Sequence, residues 1–305
     1  MTAPHSSKAQ SKPLTAFALM GGAILCFCLV DATAKWMTGG YDAWQIVFVS
    51  RLIPMAVAVF LAFRETGNPF NFYTRFPREQ AMRALLSVPM VWCFFVGLKT
   101  MALAEAITIA FVAPLFIIML SPPLLREKIG PRRWAAVIIG FAGVLVALRP
   151  GFGGAMTGHM LVLVSAFCYA LSMVLVRRFS GRESTHNVYF YGAVGSFAVG
   201  GFMSVPVWVA PDATDWGLLL LVGFWGAIGA YAVIRAYRLG EASMLAPIEY
   251  TALIWSIVLD LILFQLTPVP IVLLGAAIII GANLYVAHRE HQLGKATLPP
   301  SDHTG

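Results

Sequence analysis

Long apolar runs alternate with short polar stretches along nearly the whole chain. A helix needs about 20 apolar residues to cross the roughly 30 Å hydrocarbon core of a bilayer, and fewer suffice where flanking Lys or Arg side chains reach the interface. Glycine and proline at 39–40, 150–151, 268 and 270 fall between the runs, as is typical of connecting turns. The pattern therefore predicts an all-α integral membrane protein with ten transmembrane helices. The ten predicted segments are 14–37, 44–63, 84–98, 106–125, 134–148, 160–176, 188–210, 216–234, 242–264 and 271–287.

Two short motifs indicate that the chain is a duplicated unit. KTMALAEA occupies residues 99–106 and RAYRLGEA occupies residues 235–242, so similar turns recur 136 residues apart. The recurrence of a motif at this spacing predicts a repeated unit of about five apolar segments. Because five is an odd number, the second copy should cross the membrane in the opposite sense, which gives two inverted five-helix repeats. We expect the following organisation: an N-terminal tail at 1–13, a first repeat at 14–149, a second repeat at 157–287 and a C-terminal tail at 288–305.

The composition supports a membrane location. The chain is 59% apolar and only 11% charged, whereas soluble domains carry roughly 25% charged residues. The formal net charge is +7, but the basic residues are scattered between apolar runs and form no stripe of the kind that binds nucleic acid. The expected surroundings are therefore a lipid bilayer, and no nucleic-acid partner is expected.

The positions of the basic residues predict the orientation, because Lys and Arg accumulate in cytoplasmic loops. If the N-terminus is cytoplasmic, 17 of the 21 basic residues lie on the cytoplasmic side. Lys35, Lys99 and Arg149 then lie outside, and Arg51 lies within a segment. Residues 1–13 have no long cationic region or clear cleavage site, so we interpret them as a tail and not a signal peptide. Both termini are predicted to be cytoplasmic in a bacterial inner membrane.

Several motifs, taken jointly and in order, resemble those of the EamA family in the drug/metabolite transporter superfamily. They are the two Leu-x-Glu-Ala turns, APLF at 113–116, REK at 126–128 and GFAG at 140–143. The resemblance covers about residues 14–290. It implies a central cavity lined mainly by helices 1, 3, 4, 6, 8 and 9, and no ATPase domain. The chain contains no Gly-x4-Gly-Lys-[Ser/Thr] motif, which agrees with that expectation.

Two further motifs resemble a bacterial branch of the family that includes riboflavin and S-adenosylmethionine transporters. They are DATAK at 31–35 and LAPIEY at 245–250. The resemblance implies a small-molecule substrate, for which we expect a flat nitrogenous metabolite. Other branches export amino acids and related metabolites, and that alternative stays open. Substrate identity, direction, coupling to protons, and a monomeric or dimeric state are not given by the sequence.

Four of the ionisable residues within predicted segments stand out, because a charge there costs roughly 2.5–3.5 kcal/mol and normally faces a cavity or a partner. Asp31 either lines the pore or pairs with Lys35, one helical turn away. Arg51 either pairs with a carboxylate such as Asp31 or contacts the substrate. Asp260 lies one turn from the outer end, where its carboxylate could extend to water.

Glu249 is the strongest of these candidates. It follows Pro247, and proline removes a backbone donor and frees a carbonyl, which is the broken-helix setting that transporters use for binding. We expect Glu249 to bind substrate or a proton. The alternative is a buried ion pair with Arg235 or Arg238.

Aromatic residues inside the predicted cavity helices complete the candidate binding site. Phe27 and Tyr169 occupy equivalent positions in the two repeats, as do Phe95 and Tyr231, and a flat ring or organic cation could stack between such pairs. The alternative for each is packing against lipid or another helix. The full set of predicted substrate-binding residues is Phe27, Asp31, Trp92, Phe95, Phe111, Tyr169, Tyr231, Glu249 and Tyr250.

The remaining chemistry-bearing residues do not predict catalysis. The four cysteines lie inside apolar runs without metal-ligand spacing, and we interpret them as packing residues. No His-x-x-x-His or Ser/His/Asp grouping lies within one segment. We therefore expect no catalytic residues, no metal and no cofactor. An integral-membrane enzyme is the distant alternative, and turnover of a lipid-like substrate would distinguish it.

Overall fold

The computed structural model describes residues 13–126, 129–148, 156–179, 182–239 and 242–296. Within these ranges every regular element is a helix. The α-helices are α1 (Pro13–Met37), α2 (Ala43–Thr66), α3 (Pro77–Leu98), α4 (Leu103–Ala110), α5 (Ala113–Leu125), α6 (Pro131–Leu148), α7 (Met156–Arg178), α8 (Thr185–Ser204), α9 (Ala213–Leu239), α10 (Ala242–Glu249), α11 (Thr251–Leu259) and α12 (Pro270–Ala296). A 3-10 turn follows α8 at Val205–Val207, and a π-helical turn follows α11 at Asp260–Phe264.

The helices confirm an all-α protein that crosses a membrane several times. In the described ranges nine helical stretches are long and apolar enough to span a bilayer, and Pro270–Val286 is a shorter apolar helix. One of the nine stretches joins α4 to α5, and another includes Pro247–Phe264, across the break between α10 and α11. The predicted tail up to residue 12, Glu127 and Lys128 of the REK motif, and residues 297–305 lie outside the described residues.

Local sequence explains where several helices begin and end. The Asp42 side chain accepts a hydrogen bond from the Trp44 amide (2.9 Å) and caps α2. Gly67 ends that helix with a φ of 74°, which glycine adopts without strain. Pro77 starts α3, seven residues earlier than the hydrophobic pattern predicts, because proline fits the first turn of a helix and polar residues continue it. α12 continues to Ala296, into the predicted C-terminal tail.

The longer helices pack mainly in pairs. α1 packs along α9, α2 along α8, α3 along α7, and α6 along α12. Small residues allow the closest approaches: a Cβ at Gly195 of α8 would lie 1.7 Å from the Ala84 carbonyl oxygen of α3. Gly143 and Gly275 make a similar contact between α6 and α12. At Gly281, by contrast, no described atom lies within 4 Å of the Cβ position.

Candidate functional site

Two helix interruptions meet inside the bundle. Phe111 and Val112 separate α4 from α5, and Tyr250 separates α10 from α11. Pro114 and Pro247 accompany the interruptions, since proline cannot donate the backbone hydrogen bond of a continuous helix. The Phe111 and Tyr250 rings meet edge to face, with centroids 5.3 Å apart.

The backbone at this crossing is partly satisfied by a side chain from a third helix. The Asn283 Nδ2 of α12 donates to the Phe111 carbonyl oxygen at 3.0 Å, while the buried Asn283 Oδ1 has no hydrogen-bond partner within the described residues. Sequence reasoning missed Asn283. Its signal was a lone amide in an otherwise apolar segment. The interruption therefore places a backbone carbonyl and a side-chain amide among apolar residues, which a continuous helix would not do.

Beside the crossing lies a cavity of about 520 Å³, which we call the helix-break cavity. Its apolar wall includes Pro114, Ile117 and Ile118, and Tyr250 and Asn283 lie at its polar side. Arg133 and Arg177 line it as well, near the ends of their helices. This combination of an apolar wall with a few polar groups is typical of small-molecule sites.

Glu249 immediately precedes the second interruption, and its side chain is exposed. The Tyr237 hydroxyl of α9 donates to Glu249 Oε1 at 2.9 Å, and the Tyr169 hydroxyl lies within electrostatic range of the same carboxylate. Arg235 forms no ion pair with Glu249, while the Arg238 side chain lies outside the described residues. Sequence reasoning missed Tyr237, which lies in the RAYRLGEA motif that we interpreted only as a repeat signal and a positive loop.

A second cavity, of about 370 Å³, lies between α1, α2, α8 and α9, and we call it the Arg51 cavity. Phe27 and Val30 line it from α1, and Tyr189 lines it from α8. The Arg51 Nε is buried without a hydrogen-bond partner among the described residues. The predicted neutralisation of Arg51 by Asp31 is wrong, since no carboxylate of the described chain comes within ion-pair distance of it.

Asp31 also has no ion-pair or hydrogen-bond partner in the described part of the chain. The alternative of a pair with Lys35 is wrong. Lys35 Nζ instead lies 3.7 Å from Asp260 Oδ1 and donates to the Met101 carbonyl oxygen at 2.5 Å. Asp31 is partly accessible, and it follows Val30, which lines the Arg51 cavity. It therefore stays available for a ligand or a proton.

The prediction that Asp260 extends to water is wrong, because its side chain is 2% exposed. Its two carboxylate oxygens accept the backbone amides of Leu103 (2.9 Å) and Ala104 (2.8 Å) at the start of α4. Lys35 completes this group, which we call the Asp260 lock. A carboxylate at a helix N-terminus is stabilised by the free N–H groups and the helix dipole. The lock thus ties α1, α4 and the end of α11 together.

The predicted aromatic residues lie in different surroundings. Phe95 is 2% exposed and packs in the apolar core, and Trp92 stacks on Trp44 with ring centroids 4.8 Å apart. Tyr169 and Tyr231 expose 44% and 62% of their surfaces. The structure therefore brings together Phe111 with Tyr250, and Glu249 with Tyr169, and it leaves Phe95 and Trp92 in packing contacts.

The described residues contain no group of three or more His, Cys, Asp or Glu side chains that could hold a metal ion. Glu249 instead has a hydroxyl neighbour, and Asp260 has amide and ammonium neighbours.

Comparison with known proteins identifies relatives over most of the chain. A riboflavin transporter of Rhizobium johnstonii is 25% identical over 87% of this chain and 88% of its own. An S-adenosylmethionine uptake transporter of Rickettsia felis is 27% identical over 85% of this chain and 88% of its own. A riboflavin transporter of Vibrio cholerae is 25% identical over 91% of this chain and 94% of its own.

A solved crystal structure has the same fold. It is 22% identical in sequence, and it superposes with a TM-score of 0.63 over 92% of this chain and 99% of the other. Two stretches, residues 14–149 and 156–287, match the EamA-like transporter family. Together they cover most of the chain, and so the protein belongs to the EamA-like transporter family.

Proposed function

We propose that this protein is a secondary transporter that moves a ring-bearing nitrogenous metabolite across the bacterial inner membrane by alternating access. The observation that carries the proposal is Glu249, a carboxylate within an apolar stretch long enough to span a membrane, which accepts a hydrogen bond from Tyr237 and lies next to a helix interruption. An ionisable group in such a place normally serves a substrate or ion pathway. Relatives that are named riboflavin and S-adenosylmethionine transporters support the substrate class.

The proposal includes ten membrane-spanning helices in two inverted repeats, 14–149 and 157–287, with the tails on the cytoplasmic side. In this arrangement α4 and α5 are the fourth span, and α10 and α11 are the ninth. An inverted two-fold exchanges span one with six, and span eight with three. The packing pairs α1 with α9 and α3 with α7 are then equivalent, which supports the arrangement. The two matches to the family, one in each half, support it as well.

The residues of the site take distinct roles in this proposal. Glu249 and Asp31 bind the nitrogenous part of the substrate or a coupling proton. Tyr169 and Tyr250 supply aromatic surface on either side of Glu249, where a flat ring would gain about 0.5–2 kcal/mol from stacking or cation–π contact. Tyr237 orients the carboxylate by its hydrogen bond.

The substrate class is tested by flux into proteoliposomes that contain the purified protein. Labelled riboflavin, S-adenosylmethionine and a mixture of amino acids are measured in parallel, and we expect saturable flux of one of the first two. Tyr169→Ala should weaken its apparent affinity about 2- to 30-fold. Tyr73→Ala is the matched control, since Tyr73 is 82% exposed in the loop before α3. Saturable flux of amino acids alone would favour an amino-acid exporter and contradict the ring-bearing substrate.

The role of Glu249 is tested in the same liposomes with an imposed pH gradient. If Glu249 exchanges a proton during the cycle, Glu249→Gln should abolish the pH dependence of uphill flux and leave substrate exchange partly intact. Glu79→Gln removes a carboxylate from an exposed pair with Arg178 and should change neither property. Wild-type pH dependence in well-folded Glu249→Gln protein would contradict the role of Glu249 and direct attention to Asp31.

A further inference from the structure

Arg51 lies deep in α2, about 12 Å along the helix from its first residue. Its guanidinium is charged at every physiological pH, so it cannot escape the cost of burial by losing a proton. A buried guanidinium therefore needs hydrogen-bond acceptors or an anion. The question is which group supplies them here.

The protein itself supplies none within the described residues. No hydrogen bond or ion pair reaches Arg51, its Nε is buried and unpartnered, and no carboxylate lies close enough to interact with it. The side chain lines the Arg51 cavity together with the Ser50 and Pro54 of its own helix. The accessible part of the guanidinium therefore faces the cavity.

A second cation adds to the positive potential of this cavity. The Arg83 Nη2 lies 3.1 Å from the Cβ position of Gly192, a cavity-lining residue of α8. Among the described residues, Arg83 donates to neutral acceptors: the Gln80 Oε1 (2.8 Å), the Val188 carbonyl oxygen (3.2 Å) and the Ser172 hydroxyl (3.4 Å). Two guanidinium groups thus approach one cavity, and no carboxylate of the described residues pairs with either.

The cavity also has room and surface for an organic molecule. Gly223 allows α9 to approach α2 closely, because a Cβ there would lie 2.6 Å from the Ser50 carbonyl oxygen. The space that remains is about 370 Å³, and Phe27 and Tyr189 present aromatic surface within it. A volume near the lower end of ligand pockets accommodates a compact metabolite or one end of a larger one.

We propose that the Arg51 cavity binds a carboxylate or phosphate group of the transported metabolite, and this inference rests on the proposed function. The Arg51 fork donates to two oxygens of the anion, and the adjoining rings contact the rest of the molecule. With Asp31 and Glu249 available for the nitrogenous part, the binding region accepts a molecule that carries both an anionic group and a nitrogenous ring.

Two matched pairs of probes isolate the anionic group. Riboflavin and flavin mononucleotide differ by one phosphate, and S-adenosylmethionine and its decarboxylated form differ by one carboxylate. Dissociation constants are measured on purified wild type, Arg51→Gln, Arg51→Lys and Arg64→Gln. Arg64 is the matched control, because it is an exposed arginine at the end of the same helix and contacts only the Phe60 ring.

We expect wild type to bind the member that carries the anionic group about tenfold more tightly than the other member in at least one pair. Arg51→Gln should weaken that binding at least tenfold and change the affinity of the member without the anionic group less than twofold. Arg51→Lys keeps the charge without the fork and should retain part of the preference. It also serves as a second folded variant if Arg51→Gln does not reach the membrane. An unchanged preference in Arg51→Gln or Arg51→Lys protein overturns the proposal.

A second measurement does not depend on the transported molecule. Inorganic phosphate or acetate should raise the melting temperature of wild type saturably in detergent, at constant ionic strength, and should not raise that of Arg51→Gln. If the anion site behaves in this way but no liposome flux is found, the proposed function fails and the site stands. If flux is found and the melting temperatures do not distinguish the two proteins, the anion site fails and the function stands.

The same measurement separates a soluble anion from a lipid phosphate. Nanodiscs of phosphatidylcholine are compared with nanodiscs that also contain phosphatidylglycerol. If only phosphatidylglycerol stabilises wild type in an Arg51-dependent way, the cavity holds a lipid headgroup and the proposal of a substrate anion is overturned.

Discussion

Replacing Asp260 with alanine tests the Asp260 lock directly. The substitution removes a carboxylate that is 2% exposed and accepts the Leu103 and Ala104 amides at 2.9 and 2.8 Å. It leaves these two amides, at the buried start of α4, without an acceptor. It also removes the ion pair of Lys35, although that ammonium keeps its bond to the Met101 carbonyl oxygen and the electrostatic influence of Glu105. The expected result is a large loss of stability.

The magnitude follows from the burial of the partners. Removing one partner of a buried ion pair costs about 3–5 kcal/mol, because the other charge stays buried without compensation. An exposed helix cap costs less, roughly 0.5–2 kcal/mol. Asp42 provides that comparison, since it caps α2 through one bond to the Trp44 amide and is exposed. Asp260→Ala should therefore lower the free energy of unfolding by at least about 1 kcal/mol more than Asp42→Ala.

The assay is unfolding in mixed detergent micelles, followed by tryptophan fluorescence. The double variant Asp260→Ala with Lys35→Met adds a control, because it removes both charges together. Its loss should be smaller than the sum of the two single losses, as expected for partners in contact. If Asp260→Ala costs no more than Asp42→Ala, or if the double variant is additive, the lock does not stabilise the bundle as argued.

Three further predictions address topology, acid stability and packing. Reporter fusions at Gly67 and Asp212 should report the cytoplasm and the periplasm respectively, and the reverse result would contradict the orientation. Burial acts to raise the pKa of Glu183, but hydrogen bonds from Asn187, Thr74 and Ser184 outweigh it and hold that pKa below its ordinary value of about 4.3. The resulting stabilisation is complete above the ordinary pKa and is lost as pH falls through the pKa of the folded state. Glu183→Gln should therefore reduce the fall of the melting temperature at acid pH. An unchanged fall would contradict this prediction. Gly195→Ala places a Cβ 1.7 Å from the Ala84 carbonyl oxygen and should lower the free energy of unfolding in detergent by about 1–3 kcal/mol. Gly217→Ala, with no described atom within 4 Å of its Cβ position, should leave that free energy unchanged. Equal losses in the two variants would contradict the packing argument.

The membrane-spanning helices could be predicted because their signal is local. A continuous apolar run of about 20 residues indicates a span whatever its neighbours are. The interruption between α4 and α5 could not be predicted from the apolar pattern, since Phe111 and Val112 continue the apolar run that they break. The early start of α3 at Pro77 was missed for the opposite reason, because its first two turns are polar and lie outside the apolar run.

Site residues could be predicted from their own chemical type and local sequence, but not from their tertiary contacts. Glu249 was recognisable as a carboxylate after a proline in an apolar segment. Its partner Tyr237 was not, because a tyrosine in a basic motif is ordinary and the contact depends on how α9 meets α10. Asp260 was misjudged for the same reason. Its partners Leu103 and Ala104 lie more than 150 positions away, and backbone amides have no sequence signature.

Helices α10 and α11 connect Glu249 with the Asp260 lock. Glu249 lies directly before the interruption at Tyr250, and Asp260 ends α11, eleven residues later and about 16 Å along the helix. α10 packs on α1 and α12, whereas α11 packs on α1 and α4, so the two halves have different supports. The π-helical turn Asp260–Phe264 follows the lock, and such turns leave a weaker backbone ladder than an α-helix. If the proposed alternating access is correct, α11 can tilt at Tyr250 when Asp260 releases α4, while α10 keeps Glu249 in place. A substrate at Glu249 then shifts the equilibrium between the closed and the released Asp260 lock. The size of that shift is limited by the difference between the substrate's binding free energies for the two states.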